Sequence, residues 1–258
     1  MSAAQLAIVI SSGLFVSMLA CLEVGYRVGR SNLQEHPTAH EGIGAIEAAI
    51  FALLGLLLGF SFSGATTRLD ARRQLIVEEA NAIGTAYLRL DELPAADQPE
   101  MRQLFRKYVD ARLAAYAHIP GNMNAFQQEV ALAEQLQQQI WARAVAASRS
   151  DPTKNTARLL LPALNEMMDV TTSRTVALDA HLPGLVFFLL VTAALSSCVM
   201  AGYAMAKRRM RSRLHMFLYA ACIAITVYTV IDLDYPRSGL IRLDSADKAL
   251  EQLRDSIR

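Results

Sequence analysis

One hydrophobic rhythm dominates the chain between Pro37 and Pro94, an interval without proline. Alternate steps of four and three connect Ala48, Ala52, Gly55, Gly59, Phe62, Thr66, Leu69, Arg73, Ile76, Ala80, Ile83, Tyr87 and Leu90, a heptad stripe that never changes phase. Its first half lies in an apolar run, Ile43 to Gly64, long enough to cross a bilayer, and its second half in a charged segment that begins at Arg68. The pattern predicts one continuous helix that leaves the membrane. Inside lipid no hydrophobic drive brings helices together, so close packing needs small side chains, and Ala48, Ala52, Gly55, Gly59 and Ser63 supply them. Outside, water restores that drive, and Leu69, Ile76, Ile83, Tyr87 and Leu90 become core positions.

Four apolar blocks have the length of a membrane span: about 3–24, 44–66, 184–206 and 214–231. Between the second and third lies a polar, charged stretch whose periodicity is helical throughout. Pro94 ends the exit helix. A second helix starts after Asp97 with Met101, Leu104, Phe105, Tyr108, Val109 and Tyr116 inward, and stops at Pro120-Gly121. A third covers about Met123 to Ala147, and a fourth starts near Thr156, carries a proline at Pro162 that threatens a kink, and runs toward the third span. The predicted fold is all-α: an integral membrane protein with four transmembrane helices and a soluble helical insert. Its parts are a first transmembrane hairpin (1–66), the insert (67–182), a second hairpin (183–233) and a C-terminal turn with a short amphipathic helix (234–258).

Composition agrees, since 53% of the 258 residues are hydrophobic and mean hydropathy is +0.25. A formal net charge of +1 gives no face the dense positive charge that phosphate contacts need, which excludes nucleic acid as a partner. All three cysteines, Cys21, Cys198 and Cys222, fall in the apolar blocks and read as small buried hydrophobes. Met1 to Ser11 has no charged side chain, so the first block lacks the positive start of a secretory signal and reads as a retained span.

Candidate chemistry is sparse. There is no phosphate loop, nucleophile elbow, His-Glu-x-x-His or cysteine pair, and the expectation is a protein that is not an enzyme and carries no cofactor. His36 and His40 stand four apart, but Pro37 between them marks an irregular loop rather than a helical metal site, so no metal ligands are assigned. At the far end of the second span, Phe60, Ser61, Phe62 and Ser63 have the character either of a constriction or of an interfacial belt. Asp232 and Asp234 end the last span on the side where Arg68, Arg72 and Arg73 begin the insert, which makes these five ion-pair candidates. The charges farther along the exit helix, Glu78 and Glu79 among them, read as a solvated or salt-bridged face.

The run GFSFSGATTRLDARRQLIVEEANAIGTAYLRLDELP, Gly59 to Pro94, resembles the signature of the bestrophin-like (RFP-TM) family of mostly bacterial membrane proteins, long catalogued as a domain of unknown function. EVGYRVGR (Glu23 to Arg30), LLPALNEMMDVTTSR (Leu160 to Arg174) and DLDYPRSGLIRL (Asp232 to Leu243) agree with it. The family is grouped with bestrophins, pentameric anion channels in which four membrane helices surround a soluble insert and the second helix lines the pore. The resemblance implies a homo-oligomer, pentameric by analogy, in the bacterial inner membrane, with lipid and small anions as partners and Phe60, Ser61, Phe62 and Ser63 as pore-lining positions. The calcium-binding acidic cluster and the row of neck aromatics of true bestrophins have no clear counterpart here. The alternative is a membrane-anchored helical scaffold or sensor whose insert binds a partner.

Orientation rests on short loops. Lys207, Arg208, Arg209, Arg211 and Arg213 with Arg27 and Arg30 make seven positive charges on one side. Arg68, Arg72, Arg73, Arg174, Arg237 and Arg242 make six on the other. The short basic loop favours the cytoplasm for the first side, which places the insert outside, the reverse of true bestrophins.

Overall fold

The computed structural model describes residues 3–35, 43–119, 121–152, 154–207, 212–237 and 239–257. The loop histidines His36 and His40 with Pro37, and Arg208, Arg209 and Arg211 of the basic loop, lie outside the described residues. The fold is 89% helical, with no strand among the described residues, and four helices are long and apolar enough to cross a membrane.

The helices are α1 (Ala3–Glu35), α2 (Ile43–Leu88), α3 (Gln98–Ala117), α4 (Met123–Ser150), α5 (Leu161–Asp179), α6 (Gly184–Lys207), α7 (Arg213–Asp234) and α8 (Asp244–Ser256). α2 is the expected long helix, unbroken for 46 residues. It gives way to a 3-10 turn, Arg89–Glu92, shortly before Pro94, which cannot continue a helix. α1 extends well past its apolar block, and on the extension Glu23 and Arg27, four apart, pair at 2.9 Å. The anticipated disturbance at Pro162 takes the form of a π turn over Thr156–Leu160, after which α5 begins with the proline in its first turn. The proline, which has no N–H to give, thus falls at the junction of the π turn and the α-helix.

The chain divides into two compact units, one of residues 1–67 and 181–235, the other of residues 68–180 and 236–258. In the first, α6 and α7 both pack along α1 around Met18, Leu22, Leu190, Cys198 and Ala220. α2 joins this core through Leu54, with Leu57 and Leu58 partly covered and the Phe51 ring edge-on to Tyr219 at 6.0 Å. In the second unit, Ile76 and Ile83 of α2 and Leu90 of the 3-10 turn that follows it are buried, as are Phe105 and Tyr108 of α3, Ile140 of α4 and Leu164 of α5. α8 lies against α3 in this unit, so the C-terminal helix packs with the insert rather than standing apart.

Candidate functional site

The stripe on α2 has two fates. In the charged half its members Leu69, Ile76, Ala80, Ile83, Tyr87 and Leu90 are buried. In the apolar half Ala48, Ala52, Gly55, Gly59 and Phe62 on the same face are exposed, and a methyl group added at Gly55 or Gly59 would meet nothing within 4 Å. One helix face is therefore covered by its own chain along one half and bare along the other.

The four residues Phe60 to Ser63 do not share that bare face. A helix turns about 100° per residue, so Ser61 falls on the line of Leu54 and Ala65, at spacings of seven and four. Those three are the covered edge of α2 in the first unit, and the Ser61 hydroxyl is sealed in without a hydrogen-bond partner. Phe60 is 68% exposed but lies well around the helix from the stripe. Phe62 and Ser63 stand on or beside it. Thr66 and Thr67, one turn on, return their hydroxyls to the carbonyls of Phe62 and Ser63 at 3.0 and 2.9 Å, so these two hydroxyls are satisfied within the helix.

The small residues that do touch another helix of the same chain are in the Glu23–Arg30 motif. Gly25 lies so close to α6 that a Cβ there would sit 2.0 Å from the Val199 carbonyl oxygen, and one on Gly202 would sit 2.1 Å from that of Leu22. Gly29 presses likewise on Tyr203 and Ala206. Apart from the Ala206 Cβ against Gly29, these contacts are to backbone atoms, the geometry that small-xxx-small spacing permits in lipid. From the sequence this motif supports the family resemblance and its arginines the orientation, without a packing role for its glycines. The spacing of Gly25 and Gly29 was the available signal.

The ion-pair candidates find the following partners. In the second unit Arg72 donates to the carbonyls of Ala177 at 2.9 Å and Ala180 at 2.7 Å, a cation closing the C-terminal end of α5 where orphan carbonyls gather. Arg73 makes an exposed pair with Asp70 at 3.4 Å, and Arg68 is half-buried. In the first unit Asp232 and Asp234 are both buried on the last turn of α7. Asp234 Oδ2 accepts the Leu182 amide at 2.9 Å and stands 3.4 Å from His181 Nδ1, while the His181 ring stacks on Tyr235 at 4.3 Å. This carboxylate therefore ties the start of the third span to the end of the fourth.

The densest polar cluster is in the insert, and the sequence underrated it. Glu79 is wholly buried and holds two guanidiniums: Arg112 of α3 donates at 2.6 Å, and Arg174 of α5 donates to the other carboxylate oxygen. Burial pushes the Glu79 carboxyl up, but Arg112 and Arg174 outweigh it and hold the group below the ordinary carboxylate range. Arg112 is itself raised, because Glu79 outweighs desolvation, and it also donates to the Tyr116 hydroxyl at 2.7 Å. Nearby, the Thr171 hydroxyl donates to the Met167 carbonyl, so Tyr108 must donate to Thr171 at 3.0 Å while accepting from Gln137 at 3.0 Å. Burial pushes the Tyr108 hydroxyl up to about 12 and raises Tyr116 as well. The sequence signal was phase: Glu79 stands three residues after Ile76 and four before Ile83, on the core face.

These pieces coincide with the four resembling stretches: the glycine crossing with Glu23–Arg30, the Glu79 helix with Gly59–Pro94, Arg174 with Leu160–Arg174, and Asp234 with Asp232–Leu243. No curated protein and no solved structure matches the chain. A family model described as the Bestrophin-like domain matches residues 13–247, nearly the whole length. The protein is a membrane protein with four helices able to span a bilayer, and it belongs to the bestrophin-like family.

Proposed function

We propose that this protein is a homo-oligomeric channel for small anions, chloride among them, in which copies of α2 line the conduit. Family membership supports the class of function. The observation that carries the rest is the change along α2: the stripe buried in the insert continues into the span as Ala48, Ala52, Gly55, Gly59 and Phe62, exposed among the described residues. A continuous row of alanine and glycine lets other helices approach closely in lipid, where packing rather than water exclusion drives association. Beyond that row, Phe62 and Ser63 offer one apolar and one hydroxyl-bearing side chain on the open side of the helix, the two kinds of group from which anion constrictions are built. Ser61 is not assigned to the conduit, since it faces the interior of its own unit. The reading includes no enzymatic activity, and the short basic loop Lys207–Arg213 supports a cytoplasmic side opposite the insert.

The test is chloride efflux from liposomes containing the purified protein, with mass in lipid measured in parallel. Flux that Ser63→Trp cuts at least tenfold, from a particle of several chains, is the expected outcome. A protein that stays monomeric in lipid, or whose flux ignores Ser63→Trp, defeats the proposal. A conductance-silent oligomer whose insert binds a ligand saturably would favour the scaffold or sensor alternative.

A further inference from the structure

Tyr116 of α3 is enclosed by cations. The Arg174 guanidinium lies 3.6 Å from its ring centre, and those of Arg112 and Arg237 each lie 5.0 Å away. Glu79 answers Arg112 and one nitrogen of Arg174. The other carboxylate of this group is Asp247 of α8, whose Oδ1 accepts from Arg237 Nη2 at 2.9 Å and stands 3.5 Å from Arg174 Nη2. The second separation brings charges together without making a hydrogen bond.

Two features leave the cluster underfilled. Among the described residues three guanidiniums face two carboxylates, and the buried Arg174 Nη2 and Arg237 Nε have no acceptor. A sequestered N–H without an acceptor is costly, so the geometry around Asp247 is not the best that a carboxylate could adopt there. The reason is mechanical: Asp247 hangs from a helix and offers one oxygen to two forked donors. A free carboxylate, not tethered, can turn to give one oxygen to each fork.

We propose that Arg174, Arg237 and the Tyr116 ring form a receptor for a small carboxylate ligand, which the chain's own Asp247 occupies in this structure and which a free carboxylate takes when α8 lifts away. α8 is suited to exchange. It has 13 residues, about the length at which an isolated helix is only marginally stable, so its helicity depends on docking. Leu250 anchors it, and Leu253 rests near Gly84. Its outer ion pair, Arg254 with Asp110 at 2.8 Å, is half-exposed on both sides and contributes little. A halide is spherical and cannot bridge two guanidinium forks as a carboxylate does, so this site is chemically distinct from a conduit for chloride. It lies beyond the channel reading and stands without it.

The experiment is amide hydrogen exchange on the full-length protein in detergent, titrated with sodium formate while sodium chloride keeps total salt constant. Formate should raise exchange over residues 244–256 several-fold and saturably in the wild type. In Asp247→Ala the same segment should exchange fast at every concentration, and formate should raise the thermal midpoint of the insert. Adding Arg237→Gln should remove that thermal response. Wild-type exchange indifferent to formate at constant salt, equal effects of formate and chloride, or a formate response that survives in the double variant would each overturn the proposal.

Discussion

Adding one methyl group at Gly202 is expected to damage the first unit more than any other glycine-to-alanine change in the spans except Gly25→Ala. A Cβ at this position falls 2.1 Å from the Leu22 carbonyl oxygen, 2.9 Å from its carbonyl carbon and 2.9 Å from the Tyr26 amide nitrogen. All three are backbone atoms, which no rotamer change can move. Real Cβ contacts of this kind do not fall below 3.0 Å, so α1 and α6 must separate by close to 1 Å at the crossing. A gap of that size forfeits a quarter to a half of the attraction between facing atoms, and α1 with α6 is the most extensive helix pair of the unit. Overpacking typically costs ~1–3 kcal/mol, and with no side chain free to yield, about 3 kcal/mol is the expected figure. The assay is reversible unfolding of the purified protein in mixed micelles by increasing SDS fraction. Gly55→Ala is the control, because its added methyl would meet nothing within 4 Å. That variant should unfold within about 0.5 kcal/mol of wild type, the range of a surface change, when measured as a dissociated chain. A Gly202→Ala protein that unfolds with the wild type would refute the argument, as would a Gly55→Ala monomer destabilised just as much.

The insert yields further expectations. Glu79→Gln leaves Arg112 and Arg174 buried without their counter-charge and should cost ~3–5 kcal/mol, read as a lowered thermal midpoint by circular dichroism. The Glu79 carboxyl is held below its unfolded value of about 4.3, so the stability it contributes is present above that pH and is lost as pH falls through the lower, folded value. Acid unfolding of the wild type below about pH 4 should therefore be steeper than that of Glu79→Gln, and parallel acid limbs would contradict the assignment. Tyr108 works at the other end: its hydroxyl is raised from 10.0 to about 12, so the neutral form favours the folded state and stability declines as pH rises through that interval. Tyr108→Phe should flatten part of this alkaline decline, worth roughly 2–3 kcal/mol at most, and an unchanged profile would show the phenol not to be the titrating group. Leu88 on the insert is 72% exposed, so Leu88→Cys should react with a membrane-impermeant maleimide on intact cells if the insert faces outward. Reaction only after lysis would reverse the orientation.

What the residues disclose in advance depends on whether one strand of sequence contains the whole cause. The continuity of α2 was legible because it needs only an unbroken apolar phase and no proline, both local properties. The core positions from Leu69 to Leu90 followed from the same phase, since water supplies the drive wherever a helix leaves lipid. Ser61 was readable too, seven residues from Leu54, yet proximity to Phe60 and Ser63 in sequence suggested a shared face that a 3.6-residue turn forbids. The Glu79 cluster was harder. Its carboxylate meets Arg112 and Arg174, 33 and 95 residues away, and no local pattern says which arginine of 25 charged Lys and Arg side chains will arrive. The phase of Glu79 signalled burial, and a buried carboxylate requires a cation, so the existence of a partner was inferable even where its identity was not.

The two glycine sets show why spacing alone does not assign a partner. Gly25 and Gly29 on α1, and Gly55 and Gly59 on α2, have the same four-residue interval. The first pair is pressed against α6 of its own chain, and the second is bare. Lipid favours neither arrangement by solvent exclusion, so each glycine's role is set by which backbone reaches it. The crossing of α1 with α6 is complete within one chain and must persist in a dissociated subunit. The face on α2 has no such closure, so bulky substitution there should change the number of chains in the particle while leaving each chain's unfolding unchanged. Separating those two readouts, subunit number and unfolding, divides the glycines that build the subunit from those that would join one subunit to the next. If Gly55→Leu lowers stability in a monomer and leaves an oligomer intact, α2 packs within its own chain by a route the bare face does not allow.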